Sequence, residues 1–114
     1  MLRNCNLLDN ILTEINKNIS EGINVNVLAK KYTLSEGHLR RLFRYSFNRA
    51  ITGYIRSQRL KASMDDLLKT SSSVLDIAIK YDFDYEQSYI RAFKREFGIT
   101  PGDLRKVSRG RSIS

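Results

Sequence analysis

Arg40, Arg41 and Arg44 share one side of a short segment whose opposite side is Leu39, Leu42, Phe43 and Phe47. Farther along, Gln87, Arg91 and Lys94 recur in the same way opposite Phe93 and Phe97, with Glu86 just before them. Side chains of these types can read a polyanion that also presents planar acceptors and donors. An arginine fork grips guanine O6 and N7 through two bonds, glutamine pairs with adenine N6 and N7, and a carboxylate accepts from the cytosine amine. On that chemistry Glu36, Arg40, Arg41, Glu86, Gln87 and Arg91 are candidate base contacts, with Arg41, Gln87 and Arg91 foremost. Arg44 and Lys94 lie one turn farther on, where a side chain reaches phosphate more readily than a base edge. His38, Lys30, Lys31 and Arg105 are further candidate phosphate contacts, and Arg109 and Arg111 add non-specific attraction.

Composition narrows the alternatives. Lys and Arg number 20 against 12 Asp and Glu, a formal charge of +8 over 114 residues, which favours a polyanionic partner. One cysteine, Cys5, and one histidine, His38, cannot build a disulfide framework or a Cys/His metal site. A lone cysteine suits a reducing compartment, so a cytoplasmic protein without metal or cofactor is expected. No apolar run approaches the ~18 to 20 residues of a membrane span, and residues 1–10 lack the pattern of a signal peptide. The Gly-rich phosphate cradles and the nucleophile elbow are missing too, and no nucleophile and base stand together, so an enzyme is not expected.

Helical periodicity accounts for nearly the whole chain, and an all-α fold of seven helices is expected. Leu8, Ile11, Leu12, Ile15 and Ile19 follow helical spacing, with Asn6 as N-cap of the first helix. Asn24 caps a short helix over Val25 to Tyr32, on which Val25, Leu28 and Ala29 share a face; Ser35 caps Glu36 to Phe47. A long fourth helix runs from Ile51 to about Lys69. Ser73 with Asp76 starts a fifth over Val74 to Tyr81, and Asp84 with Gln87 starts a sixth over Tyr85 to Phe97, closed by Gly98 in the left-handed region. Thr100, Pro101 and Asp103 combine an N-cap, a first-turn proline and a first-turn acid for the seventh.

Folded back on itself, the sequence repeats. Leu28 to Ser35 aligns with Ile77 to Asp84 and, after a one-residue insertion, Glu36 to Arg44 aligns with Glu86 to Lys94. Each copy is a short helix, a tight turn and a second helix with a polar, basic outer face, the order of a helix-turn-helix. Residues 1–49 form the first lobe, 50–70 a linker helix, 71–107 the second lobe, and 108–114 a basic tail; the halves on either side of Arg49/Ala50 carry +4 each. Seen alone, a charge stripe is a solvated helix face. Its duplication at matching places argues for contact with a partner.

These residues resemble the DNA-binding domain of the AraC/XylS family of bacterial transcription activators, particularly its small stand-alone members. The likeness covers Leu7 to Lys106. It is carried by Tyr81-Asp82-Phe83, Tyr89, Arg91 to Lys94, Phe97-Gly98, Thr100-Pro101 and Leu104-Arg105 in the second copy, by His38-Leu39, Arg41 and Phe43 in the first, and by Tyr54-Ile55 and Arg59-Leu60 between them. The resemblance implies two helix-turn-helix lobes joined by the long helix. It also implies insertion into successive major-groove segments of double-stranded DNA, a monomer on an asymmetric site, recruitment of RNA polymerase, and location at the nucleoid when bound. No membrane partner is implied. Most members carry a further sensing or dimerising domain, for which 114 residues leave no room, so control by abundance is expected unless the chain is a fragment. Three positions depart from the pattern: Gly37 where a bulky contact residue is common, Asp82 in place of a turn glycine, and Leu104 in place of an aromatic. Asp82 must take a left-handed conformation or the turn must differ.

The alternative reading is a protein-interaction module of the same fold that binds RNA polymerase or another regulator and DNA only weakly; Glu86 and Gly37 on the presumed reading faces keep it open. Phe43, Phe47, Phe93 and Phe97 at i, i+4 spacing belong inside, not on a single-strand stacking platform. Tyr89 packs on that side with its hydroxyl near the surface. Cys5 is an unpaired thiol near the terminus, and His38 has no visible catalytic partner.

Overall fold

The computed structural model describes the backbone of residues 2–110 and the side chains of residues 6–110; the Cys5 thiol and Arg111 lie outside them. Among the described residues there are seven α-helices and no strand: α1 Leu2–Lys17, α2 Val25–Lys31, α3 Glu36–Phe47, α4 Ile51–Lys69, α5 Val74–Lys80, α6 Glu86–Phe97 and α7 Pro101–Ser108. No described helix is long and apolar enough to cross a membrane.

Local chemistry sets most of these ends. Asn24 Oδ1 accepts from the Val27 N–H at 2.9 Å, Ser35 Oγ from His38 at 3.0 Å, Ser73 Oγ from Asp76 at 3.0 Å, and Thr100 Oγ1 from Asp103 at 3.1 Å. Each satisfies a first-turn donor that the helix itself cannot pair. At the other end of the two longer helices of the repeat, Asn48 and Gly98 adopt φ of 54° and 77°, the left-handed stop of α3 and α6.

Several expected ends move. Asn6 does not cap α1; it lies inside a helix that begins at Leu2, because no proline or glycine precedes it to stop the turns from propagating toward the N-terminus. Ile19 follows the end of α1 and still packs against the first core. Tyr32 and Tyr81 are C-caps of α2 and α5, not their last turns. Asp84 does not cap α6. Tyr85 occupies that place, and its side chain makes no cap hydrogen bond. The inserted residue explains the shift: the place of Ser35 in the first copy falls one position after Asp84 in the second.

The chain packs as two units, Met1–Gln58 and Arg59–Ser114, and their division falls within α4. In the first unit, Ile11 and Ile15 of α1, Val25, Leu28 and Ala29 of α2, Leu39 and Phe43 of α3, and Ile51 and Ile55 of α4 make one buried core. Burying a side chain of this size stabilises by about 1.5 to 3 kcal/mol. In the second unit Leu60 and Leu67 of α4, Ile77 and Ala78 of α5, Tyr89 and Phe93 of α6, and Pro101 of α7 are buried. The aromatic pairs Phe43/Phe47 at 4.8 Å and Phe93/Phe97 at 4.7 Å repeat the same contact in each unit. Phe47 was expected inside, yet it is 40% exposed: one side packs on Phe43 and the other faces solvent at the end of α3. Tyr89 is also deeper than expected. Its hydroxyl is buried and donates to Ser63 Oγ at 2.8 Å.

Candidate nucleic-acid interface

Each unit holds one helix-turn-helix, and the two turns are built from the same bonds. In the first, Thr33 N–H donates to Lys30 O at 3.2 Å and Leu34 N–H to Ala29 O at 2.8 Å. In the second, Asp82 N–H donates to Ile79 O at 3.1 Å and Phe83 N–H to Ala78 O at 3.0 Å. Thr33 and Asp82, at φ of 57° and 68°, are the left-handed residues that close the turns. Asp82 thus takes the first of the two expected options. It is also tied to α4, where Arg59 donates to its Oδ2 at 3.3 Å. The buried partners behind each turn, Leu28 and Leu39 in one unit and Ile77 and Tyr89 in the other, leave the opposite side of the second helix to solvent.

On α3 that side presents Glu36, Arg40, Arg41 and Arg44, all exposed, with His38 exposed beside them. Glu36 is occupied: Asn26 Nδ2 donates to it at 2.8 Å, and Arg40 lies 3.7 Å from its other oxygen. An exposed pair of this kind contributes little stability and holds Arg40 only loosely. Arg41 folds over the space left by Gly37, where an added Cβ would stand 3.2 Å from its guanidinium. Arg44 makes no side-chain hydrogen bond or ion pair with another described residue. Lys30 is exposed on α2. Lys31 donates to Glu14 at 2.7 Å, and this hydrogen bond raises its pKa above the ordinary lysine value against a smaller opposing cost of desolvation.

On α6, Glu86, Gln87, Arg91 and Lys94 are all exposed. None of the four side chains is engaged with another described residue. Arg105, an expected phosphate contact, also has a place within the fold. Its Nε donates to Leu67 O at 3.1 Å and its terminal nitrogen to Thr70 O at 3.3 Å, capping the carbonyl end of α4. Arg109 reaches Thr70 O as well, at 3.4 Å.

Periodicity did not single out Tyr45, which is 92% exposed and lies one turn beyond Arg41 on the polar side of α3, or Tyr85, which is 73% exposed at the start of α6. The available signal was an aromatic on the wrong side of an otherwise clean pattern. Nor did it show that Asn26 on α2 would hold Glu36. Among the described residues no group of three or more His, Cys, Asp or Glu could hold a metal ion. Chemically, the arrangement is a pair of helices with donors on their solvent-facing sides: the arginine forks of α3, and the amide, fork and ammonium of Gln87, Arg91 and Lys94 on α6.

Comparison with known proteins gives this arrangement its family. A family model described as a helix-turn-helix domain matches residues 28–107. The chain is 31% identical over 99 residues to the regulatory protein SoxS of Escherichia coli, covering 87% of this chain and 92% of that protein. It is 34% identical over 102 residues to the transcriptional regulator Rob of Salmonella typhimurium, covering 90% of this chain but 35% of Rob, so it spans about a third of that relative. Among solved structures, the DNA-binding domain of the global transcriptional factor AdpA, in complex with a target DNA, superposes with a TM-score of 0.80 at 22% identity, covering 90% of this chain and 93% of that one. SoxS and Rob are both named as regulators. With its doubled motif, its matched turns and these relatives, the chain belongs to the AraC/XylS family of helix-turn-helix DNA-binding domains.

Proposed function

We propose that the chain is a sequence-specific transcription regulator that binds double-stranded DNA as a monomer on an asymmetric site, with α3 and α6 entering adjacent major-groove segments. The observation that carries this reading is the state of the matched outer sides: Arg44, Gln87, Arg91 and Lys94 are exposed and spend no side-chain bond on another described residue. Donors left unpaired on a rigid helix are pre-organised for base edges and phosphates. Arg41, Gln87 and Arg91 read bases, with Glu36, Arg40 and Glu86 tuning the same faces. Arg44 and Lys94 hold phosphates, assisted by His38, Lys30 and Lys31. The net charge of +8 supplies the long-range attraction. The kinship with SoxS and Rob, named as regulators, supports a role in transcription. Activation through contact with RNA polymerase is part of the proposal.

Footprinting on promoter fragments tests it. Protection should cover two groove segments about one helical turn, ~34 Å, apart. Protection indifferent to sequence would defeat the specific reading. Capture of RNA polymerase from nuclease-treated extract without DNA binding at physiological salt would favour the interaction-module alternative.

A further inference from the structure

The N-terminus of α6 lacks something that the other helices of the two motifs possess. α2, α3, α5 and α7 each start from Asn, Ser or Thr whose side chain accepts a first-turn N–H. α6 starts from Tyr85, which cannot, although its φ of −135° and ψ of 145° are the extended backbone that a capping residue adopts. Only the side chain is wrong for a cap. Tyr85 is not compensated by burial, since it is 73% exposed and its ring takes part in none of the aromatic pairs. Its hydroxyl makes no hydrogen bond to a described residue. Among the described residues the two most exposed large hydrophobic side chains are Tyr45 and Tyr85, one on α3 and one at the head of α6. Both therefore fall on the elements whose outer sides carry the proposed interface.

We infer that Tyr85 is a further DNA-contacting residue, packing its ring along the sugar edge at the mouth of the groove and donating its hydroxyl to a phosphate oxygen. The inference rests on the DNA-binding reading above and extends it to a residue outside the polar stripe. A phenol suits this place because it joins an apolar body to a polar tip and has few torsions to freeze. Tyrosine hydroxyls and helix starts are recurrent phosphate contacts, and such contacts position a protein without reading sequence. Fold stability is thereby traded for contact, since Ser in the same place would cap the helix and leave the DNA untouched.

The test compares Tyr85→Ser and Tyr85→Phe with the wild type in two measurements: thermal unfolding, and affinity for two duplexes, one selected by the wild-type protein from a random library and one of unrelated sequence. Tyr85→Ser should raise Tm by about 4 to 8 °C through the new cap and weaken binding about tenfold on both duplexes alike. Tyr85→Phe should leave Tm unchanged and weaken binding about threefold, the share of the hydroxyl. A raised Tm with unchanged affinity overturns the inference, as does a lowered Tm, which would mean that Tyr85 holds the fold together. Loss on the selected duplex alone overturns the phosphate assignment. A wild-type protein that selects no duplex overturns the DNA-binding reading itself and this inference with it, whereas selection by the wild type with unaltered variants removes the inference only.

Discussion

Tyr89 and Ser63 meet in the interior of the second unit, the phenol donating to the serine hydroxyl at 2.8 Å while the serine donates to Leu60 O at 2.7 Å. Neither side chain reaches solvent. A buried hydroxyl left without a partner is costly, so this short chain of bonds allows a tyrosine to serve as a core residue of α6 and fixes that helix against α4. The relationship joins the packing of the unit to the orientation of the side that bears Gln87 and Arg91.

Tyr89→Phe should cost about 1 kcal/mol by removing the bond and leaving a small gap, lowering Tm by about 4 to 8 °C. Burial pushes the phenol up to about 12. The unfolded chain ionises near 10, so the fold favours the protonated phenol. That stabilisation is complete below about pH 10 and is lost as pH rises toward 12. Tyr89→Phe should therefore flatten part of the alkaline fall in stability, measured by denaturant unfolding across pH 9 to 12. An unchanged pH slope would contradict the burial of this hydroxyl.

Thr33 and Asp82 hold the same left-handed place in the two turns, but they are not equally suited to it. A β-branched residue is strained there by roughly 1 to 2 kcal/mol, while Asp tolerates the region and here also pairs with Arg59. Thr33→Gly should stabilise by up to about 1 kcal/mol after the entropy of glycine is deducted. Asp82→Gly should gain nothing or lose stability, because Arg59 forfeits a partner. Thermal unfolding of the two variants gives the comparison, and equal effects would refute it.

Arg105→Ala should destabilise by about 1 to 2 kcal/mol, since the guanidinium caps the carbonyl end of α4 through Leu67 and Thr70. The slope of log affinity against log salt should stay as in the wild type if the residue makes no phosphate contact. A reduced slope would show the phosphate contact expected from its charge beside this capping role.

What the sequence disclosed was mostly local. The caps at Asn24, Ser35, Ser73 and Thr100 were legible because each bond spans three residues, and the polar sides of α3 and α6 because periodicity reports which residues share a face. Asp84 misled because a single inserted residue displaced the cap without changing the local pattern. Tyr89 and Arg105 were out of reach for another reason. Their partners lie 26 and 38 residues away, and only the fold brings those groups together. The candidate contacts of α3 and α6 remain on the exposed sides where the pattern put them. What spacing could not reveal is the internal use of Glu36 by Asn26 and of Lys31 by Glu14.

Arg44→Ala and Lys94→Ala should each weaken binding on specific and unrelated duplexes alike and reduce the magnitude of the salt slope by about 0.9. Titrations between 50 and 200 mM salt, on the order of the range over which such contacts lose most of their affinity, would show it. A variant that lost affinity only on the preferred site would move that residue from phosphate contact to base reading.

The most direct measurement of the central claim is the ratio of affinities for the selected and the unrelated duplex, taken for the wild type, Arg41→Ala and Gln87→Ala. Each substitution should cost about 1 to 3 kcal/mol on the selected duplex, relax the preference at one base pair in its own half of the site, and leave unrelated DNA nearly unaffected. Equal losses on both duplexes, or none on either, would contradict the assignment of α3 and α6 as the sequence-reading helices.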